Sequence, residues 1–122
     1  MLLVVLYLLS TILAPAPLVS MVVNPQPYDD HLDVVVTFLS SDPRYTEYEI
    51  DVDGITTPVN APLHTLQTIT TTLPLDLPHV CNAQAVYEFV VSARVLTDTQ
   101  LAARTTVGGL INRPCPFRLY VP

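Results

Sequence analysis

From Glu47 to Asp53 the chain alternates polar and apolar side chains without a break. Tyr48, Ile50 and Val52 share one face, and Glu47, Glu49, Asp51 and Asp53 share the other. A period of two with one wet face predicts a half-buried strand. Asp53-Gly54 follows at once, a dipeptide suited to a type I′ hairpin turn. Ile55-Thr56-Thr57 then reads as the returning strand, with Pro58 as its end. Upstream, His31 to Leu39 alternates more loosely, with Leu32, Val34, Val36 and Phe38 facing a core and Val35 facing away. Ser40-Ser41-Asp42-Pro43 reads as the turn that ends it.

Further along, Leu66 to Leu73 is Thr-rich and β-branched, which predicts an extended strand. Pro74 and Pro78 bound a loop leading to Cys81. Ala85 to Leu96 is the next strand, with Tyr87, Phe89, Val91, Ala93 and Val95 inward and Glu88, Ser92 and Arg94 outward. Thr99 to Val107 reads as a weaker or edge strand, Gly108-Gly109 as a turn, and Phe117 to Val121 as a last strand. No window of this body has helical periodicity. Roughly six or seven short strands with regular turn signals predict an all-β sandwich or barrel.

The first 28 residues break this pattern. No charged side chain occurs before Asp29. Residues 1–13 are apolar except for Ser10 and Thr11, and their Leu content favours helix. Pro15 and Pro17 block its simple continuation. At 1.5 Å per residue such a helix reaches about 20 Å, short of a hydrocarbon core of about 30 Å. The length and apolarity match a signal peptide. The segment has no basic start, however, and Ala14-Pro15-Ala16 is followed by Pro17, a poor residue after a cleavage point. The expected organisation is residues 1–28 as a hydrophobic N-terminal segment and 29–122 as the sandwich.

Composition narrows the chemistry. The chain has 122 residues, 50% of them hydrophobic and 13% charged, enough apolar surface to offset ordering entropy. Net charge is −6, with five Arg and no Lys. Such a surface has no basic patch for nucleic acid, and the chain has no Lys for a Schiff base or a P-loop. Its three glycines make no phosphate-cradling loop, and no G-x-S-x-G occurs. His31, His64 and His79 have no metal or catalytic spacing. Asp51-x-Asp53-Gly54 is similar to the start of a calcium loop, but its twelfth position is Pro62 rather than Glu. No catalytic residue, metal or cofactor is expected, and the chain does not read as an enzyme.

Cys81 and Cys115 are the two cysteines; neither sits in a C-x-x-C pair, and neither has a His at metal-ligand spacing. With an export-like N-terminus they read as a disulfide, the alternative being two buried thiols. A bridge would close a loop of about 35 residues and contribute roughly 3–4 kcal/mol.

Tyr48-Glu-Ile-Asp-Val-Asp-Gly54, followed downstream by Tyr87-Glu-Phe-Val-Val-Ser-Ala-Arg94, resembles the C and F strands of fibronectin type III and related immunoglobulin-like domains. The resemblance covers residues 31–121 and implies an immunoglobulin-like β-sandwich of about seven strands. The Trp that those domains usually bury is missing here. An apolar N-terminal helix ahead of such a head resembles archaeal pilins. That resemblance implies an extracellular, cell-surface filament of identical subunits in a helical polymer, with transient membrane insertion before assembly and no nucleic acid partner.

Met1–Val23 would then be the polymerisation element. Its subunit-interface residues would be Leu2, Leu3, Val5, Leu6, Leu9, Ile12 and Leu13 in the helix, then Leu18, Val19, Met21, Val22 and Val23. Residues 18–23 either continue the helix or form an extended apolar strand suited to completing a neighbour's sheet, as in the donor strands of chaperone-assembled surface fibres. The alternative function is a secreted or membrane-anchored immunoglobulin-like adhesion module with a signal peptide, binding through the loops near Asp29–Asp30 and Asn60–His64.

Overall fold

The structure, a computed structural model, describes residues 15–28, 30–75 and 83–113. Seven strands occur among them: β1 Val19–Pro27, β2 His31–Ser40, β3 Glu47–Val52, β4 Ile55–Asn60, β5 Gln67–Pro74, β6 Ala83–Val95 and β7 Leu101–Arg113. They form a three-stranded sheet, β1-β2-β5, and a four-stranded sheet, β4-β3-β6-β7, antiparallel throughout. The fold is therefore an all-β sandwich of two antiparallel sheets. The two strands singled out as C-like and F-like, β3 and β6, are hydrogen-bonded neighbours, with Ile50 opposite Ala93.

The core is built from the predicted alternation. Leu32, Val34, Val36 and Phe38 of β2 are buried against Tyr48, Ile50 and Val52 of β3 and against Phe89, Val91, Ala93 and Val95 of β6. Tyr48 and Phe38 are the two largest fully buried side chains and meet edge to face, with centroids 4.9 Å apart. Tyr48 is thus the large aromatic of the C-like strand in a chain that has no Trp. Its hydroxyl is paired with Ser40 Oγ at 2.8 Å, so the ring is buried without orphaning its oxygen.

The Asp53-Gly54 turn forms as expected, with φ of 49° and 88° at its two central residues. Asp51 Oδ1 accepts the Gly54 N–H at 2.9 Å, so this carboxylate serves the turn.

Three expectations need correction. Residues 19–27, expected in the N-terminal segment, belong to the sandwich: of the helix and the donated strand left open for residues 18–23, 19–23 are strand, but β1 pairs with the chain's own β2 over its whole length and Val19, Met21 and Val23 pack on the core. Strand β4 does not stop at Pro58 but runs to Asn60. It is an edge strand, where a missing N–H is tolerated. Gly108-Gly109 is not a turn but lies inside β7, opposite Glu88 and Tyr87. The reason is steric. A Cβ at Gly109 would stand 2.5 Å from the Tyr87 hydroxyl and 2.6 Å from its ring, so glycine makes room for the tyrosine side chain. The helix expected over residues 1–13 and the strand expected over 117–121 lie outside the described residues, as do Cys81 and Cys115.

Two substitutions test this packing. Tyr48→Phe should cost about 1–3 kcal/mol in urea denaturation, because Ser40 loses its buried partner. Burial also raises the Tyr48 pKa. The folded state therefore keeps the phenol neutral after the unfolded chain has begun to ionise, and wild-type stability should fall as pH rises above about 10. That alkaline loss should shrink in Tyr48→Phe. Gly109→Ala should destabilise by about 1–3 kcal/mol, and most of that cost should vanish in a Tyr87→Ala background, read as a double-mutant cycle.

Candidate functional site

Pro15 to Leu18, where the apolar segment joins the sandwich, is held at one end of the molecule by a compact polar latch. The turn after β2 supplies it. Pro43 sets the turn backbone, and Asp42 closes it by accepting the Arg44 N–H on Oδ1 at 3.0 Å. The Asp42 side chain is only 2% exposed. Arg44 then folds back and donates from Nε to Asp42 Oδ1 at 3.0 Å and from Nη2 to Oδ2 at 2.7 Å. This two-pronged pairing is the strong form of an Arg–carboxylate contact.

The pair grips the incoming chain. Asp42 Oδ2 accepts the Leu18 N–H at 3.0 Å, and the Ser41 N–H donates to the Leu18 carbonyl at 2.8 Å. Arg44 Nη2 also donates to the Pro15 carbonyl at 3.3 Å and to the Ala16 carbonyl at 3.5 Å. A second donor to Pro15, Gln100 Nε2 at 3.3 Å, comes from the β6–β7 turn. That turn is shaped by Thr99, at φ 60°, and by Asp98, whose Oδ1 accepts the Gln100 N–H at 3.0 Å. Tyr45 completes the cluster: Arg44 lies over its ring at 5.1 Å, and its hydroxyl donates to Gln100 Oε1 at 3.4 Å. Pro17 is buried, and Pro15, Ala16 and Leu18 line an open cleft of about 360 Å³ with Asp42, Pro43 and Arg44.

Electrostatics follow from these contacts. The Arg44 hydrogen bonds, joined by the backbone N–H groups of Arg44 and Leu18, hold the Asp42 carboxyl well below the usual carboxylate range, against the opposing effect of desolvation. The same pairing raises the Arg44 pKa. The latch is thus charged at any pH above the ordinary carboxylate range.

Of the described residues predicted for a subunit interface, Val19, Met21 and Val23 are half-buried in the chain's own sandwich. Leu18 and Val22 point outward, 64% and 61% exposed. Leu2, Leu3, Val5, Leu6, Leu9, Ile12 and Leu13 lie outside the described residues. The acidic stripe Glu47, Glu49, Asp51 faces Arg94 in the sheet register, Glu49 directly opposite it. Arg94 nevertheless donates to the Thr99 carbonyl at 3.1 Å. The latch residues Asp42, Arg44 and Gln100 were missed as a site. The one local signal was an Asp two residues before one of only five Arg in the chain.

At the opposite end, beside Asp30, Tyr28 is half-exposed and stacks on His31 with centroids 4.7 Å apart. His31 Nδ1 lies 2.6 Å from Asp30 Oδ1. Pro27, Tyr28, Asp30, Leu110, Ile111 and Asn112 line a second open cleft, of about 490 Å³. Among the described residues no cluster of His, Cys, Asp and Glu is arranged to hold a metal ion.

Because Asp42 is depressed in the folded state, its contribution is present above the unfolded carboxylate range and is lost as pH falls through and below about 4. Wild-type stability should therefore drop on acidification, and Asp42→Asn should be less stable at neutral pH but flatter between pH 5 and 2. Amide exchange at Leu18 should quicken in Asp42→Ala by more than at the β3 and β6 amides, which speed only by the loss of global stability. No protein-family model, curated protein or solved structure matches the chain.

Proposed function

We propose that the chain is a structural subunit of an extracellular, pilus-like surface filament, held together through its apolar N-terminal segment. The observation that carries this reading is the junction. Fourteen residues without a charge precede a stretch, Pro15 to Leu18, gripped by at least five hydrogen bonds centred on Asp42 and Arg44. An apolar segment anchored at its base leaves the head in a set direction and transmits load to the sandwich. The head is suited to bearing load, because antiparallel strands in two packed sheets share the pull among many backbone hydrogen bonds. A helical polymer of identical subunits would remove the apolar segment from water, and transient membrane insertion would hold it before assembly.

Residues 19–23 serve this reading as part of the head. They complete the chain's own three-stranded sheet, so the segment available to a neighbour is 1–14 together with Leu18 and Val22. A bridge between Cys81 and Cys115 belongs to the same extracellular reading.

A second reading, a secreted or anchored adhesion module, is favoured by one specific observation. The Tyr28 cleft combines a stacked aromatic ring with Asp30, His31 and Asn112 at the end away from the junction.

Native-chain mass spectrometry and sedimentation separate the two. Under the filament reading the native chain retains residues 1–14 and sediments as fibres, while a chain starting at Pro15 has the same β-sheet circular dichroism and stays monomeric. A native chain starting at Pro17 or later, or fibres from the chain that starts at Pro15, would sink it.

A further inference from the structure

We propose that the junction end of the sandwich rests on a lipid bilayer, with Leu18, Leu63 and Leu66 entering its interface and the acidic end held in water. The inference rests on the filament reading, in which a membrane holds the uncharged N-terminal segment before assembly. It names the part of the head that touches lipid at that stage.

The first support is where the exposed leucines lie. Strands β1, β3, β5 and β7 start at the junction end, and β2, β4 and β6 finish there. Five of the six exposed leucines among the described residues, Leu18, Leu63, Leu66, Leu96 and Leu101, sit at that end. The sixth, Leu110, sits near the other end, opposite Val86. The β4–β5 turn presents two of the five on a fixed frame. Buried Ala61 donates its N–H to the Thr46 carbonyl at 2.7 Å, and His64, at φ 60°, donates its N–H to the Ser40 carbonyl at 2.8 Å. The Thr65 N–H closes the turn on the Pro62 carbonyl at 3.0 Å. Leu63 and Leu66 are thus held outward on a well-bonded backbone, 43% and 62% exposed. Apolar side chains gathered in this way mark a contact surface.

The second support is charge along the long axis. Between Ala61 and Leu66 only His64 can ionise. In the neighbouring turn Asp42 is neutralised by Arg44 at 2.7 Å. The carboxylates of Asp30, Asp33, Asp51 and Asp53 gather toward the opposite end, at the start of β2 and at the β3–β4 hairpin. Charge is costly in hydrocarbon, so a bilayer orients the head with its leucines down and these carboxylates in water. Glu47 and Asp98 border the leucine end on the side of the four-stranded sheet. The side of the three-stranded sheet, with Leu18, Leu63 and Leu66, therefore dips deepest. Tyr45, in the β2–β3 turn, is a residue type that settles at headgroup level.

The third support is the path of the chain. Fourteen uncharged residues run into Pro15, and Leu18 follows within the leucine group. Arg44 and Gln100 hold the Pro15 carbonyl, each at 3.3 Å, so little slack separates that segment from the head. A hydrocarbon phase that takes up the segment brings the leucine end to its surface. Side chains that protrude singly from turns suit a fluid phase, which closes around them. A second copy would need matching hollows.

The test uses the full-length chain, which has no Trp, so one introduced indole reports its own site. Leu63→Trp and Leu66→Trp probe the junction end, and Val86→Trp, at a position 79% exposed, probes the other. Each is mixed with phosphatidylcholine vesicles, with and without lipid brominated in its acyl chains. Leu63→Trp and Leu66→Trp emission should shift to the blue and fall at least twofold with brominated lipid, while Val86→Trp emission does neither. Chains that float with the vesicles while both junction probes stay unquenched would overturn this inference and leave the filament reading standing. Equal quenching of Val86→Trp would show adsorption without orientation and would also sink it. A blue shift of Leu66→Trp in lipid-free polymer, without quenching on vesicles, would assign the leucines to a second copy instead. A chain that neither floats nor sediments at any concentration would overturn both readings.

Discussion

The packing of β2 against β3 and β6 is the constraint on which the rest of the molecule depends. Leu32, Val34, Val36 and Phe38 project from the middle strand of one sheet onto Tyr48, Ile50, Val52, Val91 and Ala93 in the two middle strands of the other. Each such side chain removes apolar surface from water worth about 1.5–3 kcal/mol, and a one-residue slip in register would turn the whole set to solvent. The outer strands hang on this frame: β1 and β5 flank β2, and β4 and β7 flank the β3–β6 pair. Tyr48 ties the frame to the junction. Its hydroxyl holds Ser40, the last residue of β2, and Ser40 Oγ in turn accepts the Asp42 N–H at 3.3 Å.

That link connects the core to the junction at Leu18. The Asp42–Arg44 pair is buried on the carboxylate side and open on the guanidinium side, so it serves two needs at once. Asp42 satisfies backbone donors that would otherwise be orphaned near the sheet end. Arg44 reaches past it to carbonyls of the chain entering from the N-terminus. A greasy segment tethered by a flexible linker would sample many directions. At this junction the chain from Pro15 to Leu18 is fixed by Asp42, Arg44 and Gln100. The Tyr28 end carries the opposite character, with aromatic and polar groups facing solvent away from the junction.

Much of the fold was legible locally. The inward sets of β2, β3 and β6 were read from period-two alternation, and the turn at Asp53-Gly54 from the ease with which those two residues adopt positive φ. Errors fell where a local signal met a distant partner. Gly108-Gly109 is a turn signal by composition, yet Tyr87 on the neighbouring strand needs the space at Gly109. Pro58 ends a strand by rule, yet β4 has an edge on which no ladder N–H is required. For residues 19–23 helix and donated strand were both open, and the strand form won inside the chain's own sheet, because β2 offers an unpaired edge and the core a place for Val19, Met21 and Val23.

The candidate site was the least legible part. Asp42 looked like a turn residue, and it is one. Its contact with Leu18 spans 24 positions, and the Gln100 contact with Pro15 spans 85. Alternation and turn chemistry act between residues a few positions apart, so the amino-acid order alone determined that β2, β3 and β6 are strands, which of their faces turn inward, and that an uncharged N-terminal segment precedes an acidic body. Which strand neighbours which, where β1 belongs, and which polar side chains converge on the junction depend on pairing between distant segments. Only the packed sandwich decided them, because burial of one common core brings those segments together.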